Sequence, residues 1–133
     1  MKKKIFYFSF IFIFLIQADL FAKSTKFYWS KVSYTKSSSF YIDKSSIKKV
    51  GPYLYFWALT NYDIPDKSGT KSVISVNRVE CNSMKSQILS YTSYFDFFGE
   101  GRLKMDFILS NPKWESYGDR SAHYLTLKTV CRN

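Results

Sequence analysis

The chain has 133 residues, of which 46% are hydrophobic and 23% charged, and this composition excludes an intrinsically disordered protein. Its 20 lysines and arginines outnumber its 10 aspartates and glutamates, which gives a net charge of +10. One histidine and two cysteines are too few for a four-ligand zinc finger or an iron–sulfur cluster. A chain of this length supplies one hydrophobic core, so we expect a single folded domain.

The N-terminal segment has the order of a secretory signal peptide. Met1–Lys4 is basic, Ile5–Ile16 is an apolar run interrupted only by Ser9, and the small residue Ala22 precedes a polar stretch. The run has 12 residues. A membrane-spanning helix needs about 20, so a signal peptide over residues 1–22 is favoured over an uncleaved anchor. No cysteine lies near the cleavage site, which excludes a lipoprotein anchor.

Cleavage would leave one domain, residues 23–133. Three lysines and one aspartate leave with the signal peptide, so 17 basic residues remain against 9 acidic ones and the net charge becomes +8. The remaining sequence contains no second apolar run of membrane-spanning length. We therefore expect an exported soluble protein that resides in the periplasm, at the cell surface or in the medium.

Export changes the interpretation of the two cysteines. An oxidising compartment favours a disulfide between Cys81 and Cys131, although two unpaired buried thiols remain the alternative. A disulfide would close a loop of about 50 residues, for which chain entropy predicts roughly 4 kcal/mol of stabilisation. A catalytic thiol is disfavoured, because there is no CxxC motif and His123 is the only imidazole.

The mature sequence is typical of an antiparallel β-sheet, because short connections join its apolar, aromatic-rich segments. The first segment places Tyr28, Val32 and Tyr34 on one face. The third segment, Tyr53–Asp63, is apolar on both faces, which indicates a central strand covered on both sides. Six strands are predicted: Phe27–Tyr34, Ser39–Asp43, Tyr53–Asp63, Ser72–Cys81, Met84–Phe95 and Leu103–Leu109.

Two connections carry turn signals of their own. Asp43 is a suitable cap for one helical turn over Lys44–Lys49, which Gly51-Pro52 would end. The glycines of Phe98–Gly101 are those of a tight hairpin.

The C-terminal segment is ambiguous. Ser121 is a good N-cap for a helix over Ala122–Cys131, in which Ala122, Leu125 and Thr129 share a stripe. The same segment also alternates as a strand does, with His123, Leu125, Leu127 and Thr129 at every second position. Periodicity alone leaves both alternatives open.

No motif predicts a catalytic, metal or cofactor site. His123 has neither an oriented partner nor a nucleophile beside it in the sequence, so a surface or capping role is favoured. Asp63 and Asp66 lie in a loop that ends at Gly69, but a calcium loop brings more oxygen ligands at regular offsets. Gly99 and Gly101 lack the third glycine and the helix of a phosphate-binding loop.

Lysines and aromatic residues cluster near the mature N-terminus and the first predicted turn, and they predict a binding surface for an acidic partner. That partner could be a protein or a polyanionic glycan, whereas export argues against nucleic acid. A solvated basic surface is an equal alternative, and an exposed first strand would permit a homodimer. The candidate binding residues are Lys26, Trp29, Lys31, Tyr34, Lys36, Lys48 and Lys49.

Several segments, in order, resemble the surface-adhesin protein E family of small exported bacterial proteins. They are Phe40–Asp43, Ser46-Ile47, Trp57–Leu59, Asn61-Tyr62, Ser72–Cys81, Tyr91, Gly99–Gly101, Trp114, Ser121 and Val130-Cys131. The chain departs from the family at Glu80, where an aspartate is common, and at Asp119-Arg120, where the family has Pro-Gly.

The resemblance implies an α+β fold: a six-stranded antiparallel β-sheet with a C-terminal α-helix packed on its concave face. It also implies one disulfide, Cys81–Cys131, between the sheet and that helix. The family includes a surface protein that binds host matrix proteins such as vitronectin and laminin and is not an enzyme.

The sequence therefore favours a non-catalytic exported binding protein, adhesin-like, that recognises an acidic or extracellular-matrix-type partner. The alternative is a periplasmic structural or envelope-housekeeping protein with no host-binding role. An enzyme or small-ligand carrier is the least favoured class, because no acid–base pair is visible.

Overall fold

The computed structural model of the protein describes residues 26–133; the predicted signal peptide lies outside the described residues. This part of the chain forms seven β-strands, one 3-10 turn and one α-helix. They are β1 (Trp29–Tyr34), β2 (Ser38–Val50), β3 (Tyr53–Tyr62), β4 (Ser72–Glu80), β5 (Lys85–Tyr94), the 3-10 turn (Phe97–Gly99), β6 (Leu103–Ile108), β7 (Glu115–Ser116) and α1 (Ala122–Cys131). Within residues 26–133, no helix has the length and apolar character needed to cross a membrane.

Strands β1 to β6 form an antiparallel meander in which each strand pairs with the next one in the sequence. This confirms the predicted six-stranded antiparallel sheet. The short strand β7 pairs with the beginning of β5, where Lys85 lies opposite Ser116. Two residues are too few to produce a detectable alternation, so β7 could not be predicted from sequence.

The predicted helical turn over Lys44–Lys49 is wrong, because β2 continues through this segment with a bulge. The Asp43 carboxylate accepts hydrogen bonds from the Ser45 amide at 3.0 Å and from the Ser45 hydroxyl at 2.5 Å. The Ser46 hydroxyl donates to the Asp43 carbonyl and accepts from the Trp57 amide of β3. Asp43 does cap the chain as expected, but these bonds stabilise a bulge instead of starting a helix.

The C-terminal segment is a helix, which resolves the ambiguity of its sequence. Ser121 caps it by accepting a hydrogen bond from the Tyr124 amide at 3.1 Å. The helix packs across one face of the sheet and encloses the main core. The core residues are all almost fully buried: Ile42, Phe56, Val79, Leu127 and Val130. We call this the helix face of the sheet and the opposite one the open face.

A disulfide joins Cys81 at the end of β4 to Cys131 at the end of α1, with 5.8 Å between the two Cα atoms. The pairing expected from the two cysteines is therefore confirmed. Cys81 is held in place by the following turn, in which Glu80 accepts hydrogen bonds from the amides of Asn82 and Ser83. A hydrogen bond from the Ser83 hydroxyl, together with these two amide bonds, holds the pKa of Glu80 below its usual range.

The connection between β5 and β6 is longer than the predicted tight hairpin and folds back over the open face. The Phe98 amide donates to the Asn61 side chain at 2.9 Å, and the Gly99 amide donates to the Ser72 hydroxyl at 2.9 Å. Gly99 has a φ of +68°, and a Cβ atom there would overlap the side chain of Ile74. The 3-10 turn is therefore held against the sheet and supplies one wall of the surface described next.

Candidate binding face

A bulge in β1 decides which side chains of this strand reach the open face. Lys31 pairs with Tyr41 and Ser33 pairs with Phe40, so Val32 is an extra residue between two registered pairs. The prediction that Val32 and Tyr34 share a face is consequently wrong. Val32 packs against the core under the helix, whereas Tyr34 lies on the open face.

The bulge brings three of the predicted binding residues to one side. Trp29, Lys31 and Tyr34 all project from the open face. Each of them pairs with a β2 residue that is itself paired with an open-face residue of β3. On the other side of the strand, the Ser33 hydroxyl donates to the Ala122 carbonyl of the helix at 2.8 Å. The helix contact thus fixes the orientation of β1 and of the aromatic residues opposite it.

Trp29 lines a groove of about 690 Å3 on the open face, which we call the aromatic groove. The Phe27 ring stacks on the Trp29 ring at a centroid distance of 4.7 Å and contacts the Trp57 ring at 5.2 Å. These three rings form a continuous aromatic surface across β1 and β3. The full lining is Phe27, Trp29, Trp57, Ile74, Thr92, Tyr94, Phe98, Gly99 and Glu100.

The aromatic groove contains a small number of polar groups. Burial, with a smaller contribution from Asp106, raises the pKa of Tyr94, so its hydroxyl is neutral at physiological pH. The Thr92 hydroxyl donates a hydrogen bond to the Asp106 carboxylate at 2.9 Å. Glu100 is exposed at the rim. An apolar surface with a few hydrogen-bonding groups is the usual composition of a ligand site.

A second groove of about 330 Å3, the lysine groove, shares the Phe27 and Trp57 walls of the first. Lys26 and Lys48 line it, and both are exposed. Asp43 also lines this groove but is only 4% exposed, and its carboxylate accepts bonds from the Tyr28 amide as well as from Ser45. The two lysines are therefore the charged groups that this groove presents to solvent.

The remaining predicted binding residues lie away from the two grooves. The Lys31 ammonium lies 5.3 Å from the centre of the Tyr34 ring. Tyr34 lies farther along β1, and its side chain is 74% exposed. Lys36 lies in the exposed turn between β1 and β2. Lys49 pairs with Leu54 and so belongs to the helix face, on the side opposite its neighbour Lys48. The structure brings together Lys26, Trp29 and Lys48 and leaves the others dispersed.

Sequence reasoning missed four aromatic residues of the aromatic groove: Phe27, Trp57, Tyr94 and Phe98. Trp57 belongs to a face of β3 that was expected to be covered, but it is only half-buried. The 3-10 turn reaches just one end of this face, where Leu59 is buried. The aromatic alternation of β3 was the one signal available, and it does not distinguish a core face from a partly open one.

Farther along the open face, Arg78 joins the sheet to the segment that precedes the helix. Its guanidinium lies 4.8 Å from the Tyr53 ring centre and 5.1 Å from that of Trp114. It also donates hydrogen bonds to Gln87 at 2.5 Å and to the Tyr55 hydroxyl at 3.1 Å. This cationic side chain therefore contacts four of its own neighbours and stabilises the fold.

His123 lies beside a small cavity of about 90 Å3 between the helix and the sheet. Its ring stacks on Tyr117 at 4.8 Å and contacts Phe40 at 5.0 Å. Partial burial against these rings lowers the pKa of His123, and Glu115 opposes this effect. The side chain remains exposed at the start of the helix, so the histidine is a surface residue that packs on two aromatic rings.

The Asp63–Thr70 loop closes on itself. Asp66 accepts hydrogen bonds from the Ser68 hydroxyl and from the amides of Thr70 and Ser68, and these bonds hold its pKa well below the usual range. One carboxylate oxygen of Asp66 is thus engaged in a turn. Within residues 26–133, no three histidine, cysteine or acidic side chains cluster as a metal site requires.

The described residues form a small disulfide-linked β-sheet domain with two grooves on its open face. The chain belongs to the family described as surface-adhesin protein E, whose profile matches residues 29–132. This confirms the family resemblance of the sequence. Membership points to an adhesin-like surface protein and to a non-enzymatic role.

Solved structures of protein E from Haemophilus influenzae have the same fold. The structure from a non-typeable strain has a TM-score of 0.58 at 19% identity and covers 79% of this chain and 76% of its own. Crystal form II of the Haemophilus influenzae protein has a TM-score of 0.52 at 20% identity and covers 70% of this chain and 80% of its own. No curated protein sequence matches the chain.

Proposed function

We propose that this chain is a non-catalytic, exported binding protein, adhesin-like, that recognises an acidic or extracellular-matrix-type macromolecule. Export would follow from a cleaved signal peptide over residues 1–22, without a lipid anchor, and would deliver the domain of residues 23–133 to the periplasm, the cell surface or the medium.

The arrangement of Lys26, Trp29 and Lys48 on the open face is the observation that supports this proposal most directly. Two exposed lysines lie beside a continuous aromatic surface, and aromatic residues are enriched at binding interfaces. The excess of basic residues in the mature chain would attract acidic partners over a distance of about 10 Å at 0.1 M salt. Family membership supports the adhesin-like role.

A binding assay with a matched pair of lysine variants tests the proposal. Mature protein would be titrated against immobilised vitronectin and laminin at several salt concentrations. Binding should weaken steeply as salt rises, and Lys48→Ser should weaken it more than Lys49→Ser, because only Lys48 lies on the open face. Binding that is insensitive to salt, or an equal loss for both variants, would contradict the proposed surface.

Location needs its own measurement. Protease digestion of the protein on intact source cells, while a periplasmic marker survives, would support surface exposure. Full protection would instead favour the alternative of a periplasmic structural protein, and the search for a partner would move to envelope components.

A further inference from the structure

We propose that the aromatic groove and the lysine groove together bind an acidic polysaccharide chain. Its sugar rings would pack on Phe27, Trp29 and Trp57, and its sulfate or carboxylate groups would pair with Lys26 and Lys48. This inference rests on the proposed binding function and narrows the partner to one chemical class.

The aromatic surface favours sugar rings over an acidic polypeptide. A pyranose ring has a flat face of C–H groups with partial positive charge, and this face packs well against the negative face of an aromatic ring. Phe27 stacks on Trp29 with only 20° between the ring planes and contacts Trp57, so the surface extends across two strands. An aspartate or glutamate side chain has no comparable flat apolar face.

The size and polar groups of the aromatic groove fit the same ligand. Its volume of about 690 Å3 lies within the range of small-ligand sites. The neutral Tyr94 hydroxyl and the exposed Glu100 carboxylate provide hydrogen-bonding partners for sugar hydroxyls. Glu100 also disfavours an anionic group at that end, so the charged substituents belong at the other groove.

Charge complementarity assigns those substituents to the lysine groove. Lys26 and Lys48 line it and are exposed, whereas the buried Asp43 carboxylate is already hydrogen-bonded by the protein. The lysine groove shares the Phe27 and Trp57 rings with the aromatic groove, so one chain can contact both without leaving the surface. Sulfate or carboxylate groups on successive sugars would then face ammonium groups.

The test uses the mature, oxidised protein and a size-defined heparin decasaccharide, with binding measured by calorimetry at several salt concentrations. Trp29→Ala should weaken binding about five- to tenfold, as expected for the loss of one stacking platform. Lys48→Ser should weaken binding a few-fold at low salt. It should also reduce the slope of log affinity against log salt concentration by about one, since one fewer counterion is released. Phe98→Ala is a second aromatic variant at an exposed position, in case Trp29→Ala does not fold.

Two matched controls lie on the opposite face. Lys49→Ser removes the same charge next to Lys48, and Phe107→Ala removes an aromatic ring of β6 that is 49% exposed. Neither should change the affinity beyond about twofold. A ten-residue polyglutamate should bind weakly and should not respond to Trp29→Ala.

The outcomes separate this inference from the proposed function. If polyglutamate binds as well as the decasaccharide and Trp29→Ala has no effect, the polysaccharide inference is overturned while an acidic partner stands. If the matrix proteins bind but the decasaccharide does not, the inference also fails and the proposed function remains. If none of these ligands binds, both are refuted.

Discussion

Removing the Cys81–Cys131 disulfide should strongly destabilise the domain. The bond closes a loop of 50 residues, for which the chain-entropy model predicts about 4 kcal/mol at 25 °C. At the unfolding entropy typical of a domain of this size, a loss of 4 kcal/mol in stability lowers the Tm by roughly 15–20 °C. The appropriate variant replaces both cysteines by alanine, because a single substitution would leave a reactive thiol.

Thermal melts by circular dichroism, with and without reductant, measure this effect. The native protein should lose its stability only in reductant, and the double-alanine variant should match the reduced protein in both conditions. Agreement of the native melts within about 3 °C would refute the reasoning, since the disulfide would then contribute little to the free energy of unfolding. A further loss of stability of the double variant in reductant would indicate an effect unrelated to this bond.

Three further perturbations follow from the structure. Because partial burial lowers the pKa of His123 in the folded state, the unfolded chain binds a proton more readily below about pH 6.5, so urea midpoints should fall between about pH 7.5 and 5.5, and His123→Asn should reduce this slope. Arg78→Ala should cost about 1–2 kcal/mol and speed hydrogen exchange around Trp114, and unchanged exchange there would contradict a stabilising contact between Arg78 and Trp114. Gly99→Ala should cost about 1–3 kcal/mol in denaturant titrations, because of its positive φ and the overlap with Ile74; a neutral result would mean that the 3-10 turn is not held against the sheet.

The strands could be predicted because each carries a local signal of its own. The aromatic alternation of β3 and the turn residues between strands depend on neighbouring residues only. The helix was half-predicted: Ser121 is a true cap, but His123–Thr129 also alternates as a strand. Its burial against the sheet decides the matter, and that is a tertiary contact.

The bulge in β2 shows why capping residues can mislead. Asp43, Ser45 and Ser46 have the side chains that begin a helix, and they make the local hydrogen bonds expected of them. The Trp57 amide of the neighbouring strand supplies the deciding bond to the Ser46 hydroxyl. A residue 11 positions away in the sequence therefore selects the bulged strand over a helical turn.

The grooves were less predictable than the strands, because separate elements supply their walls. Phe27 and Trp29 come from the N-terminal edge, Trp57 from the centre of the sheet, and Phe98 from the 3-10 turn. The extra residue Val32 also reverses the alternation of β1, which no periodicity argument anticipates. Lys48 and Lys49 looked equivalent in sequence, and only the register of β2 separates them.

The position of the helix after the sheet in the sequence has a consequence for how the domain is made. A ribosome releases the chain N-terminus first, so the sheet emerges before Leu127 and Val130, which complete the core with Ile42, Phe56 and Val79. Until residues 122–131 have emerged, the nascent chain lacks both the cover for these side chains and the second cysteine. The sheet should therefore not fold stably before the helix joins it, and a message truncated before Leu127 should yield a product that is degraded rather than a weakened domain.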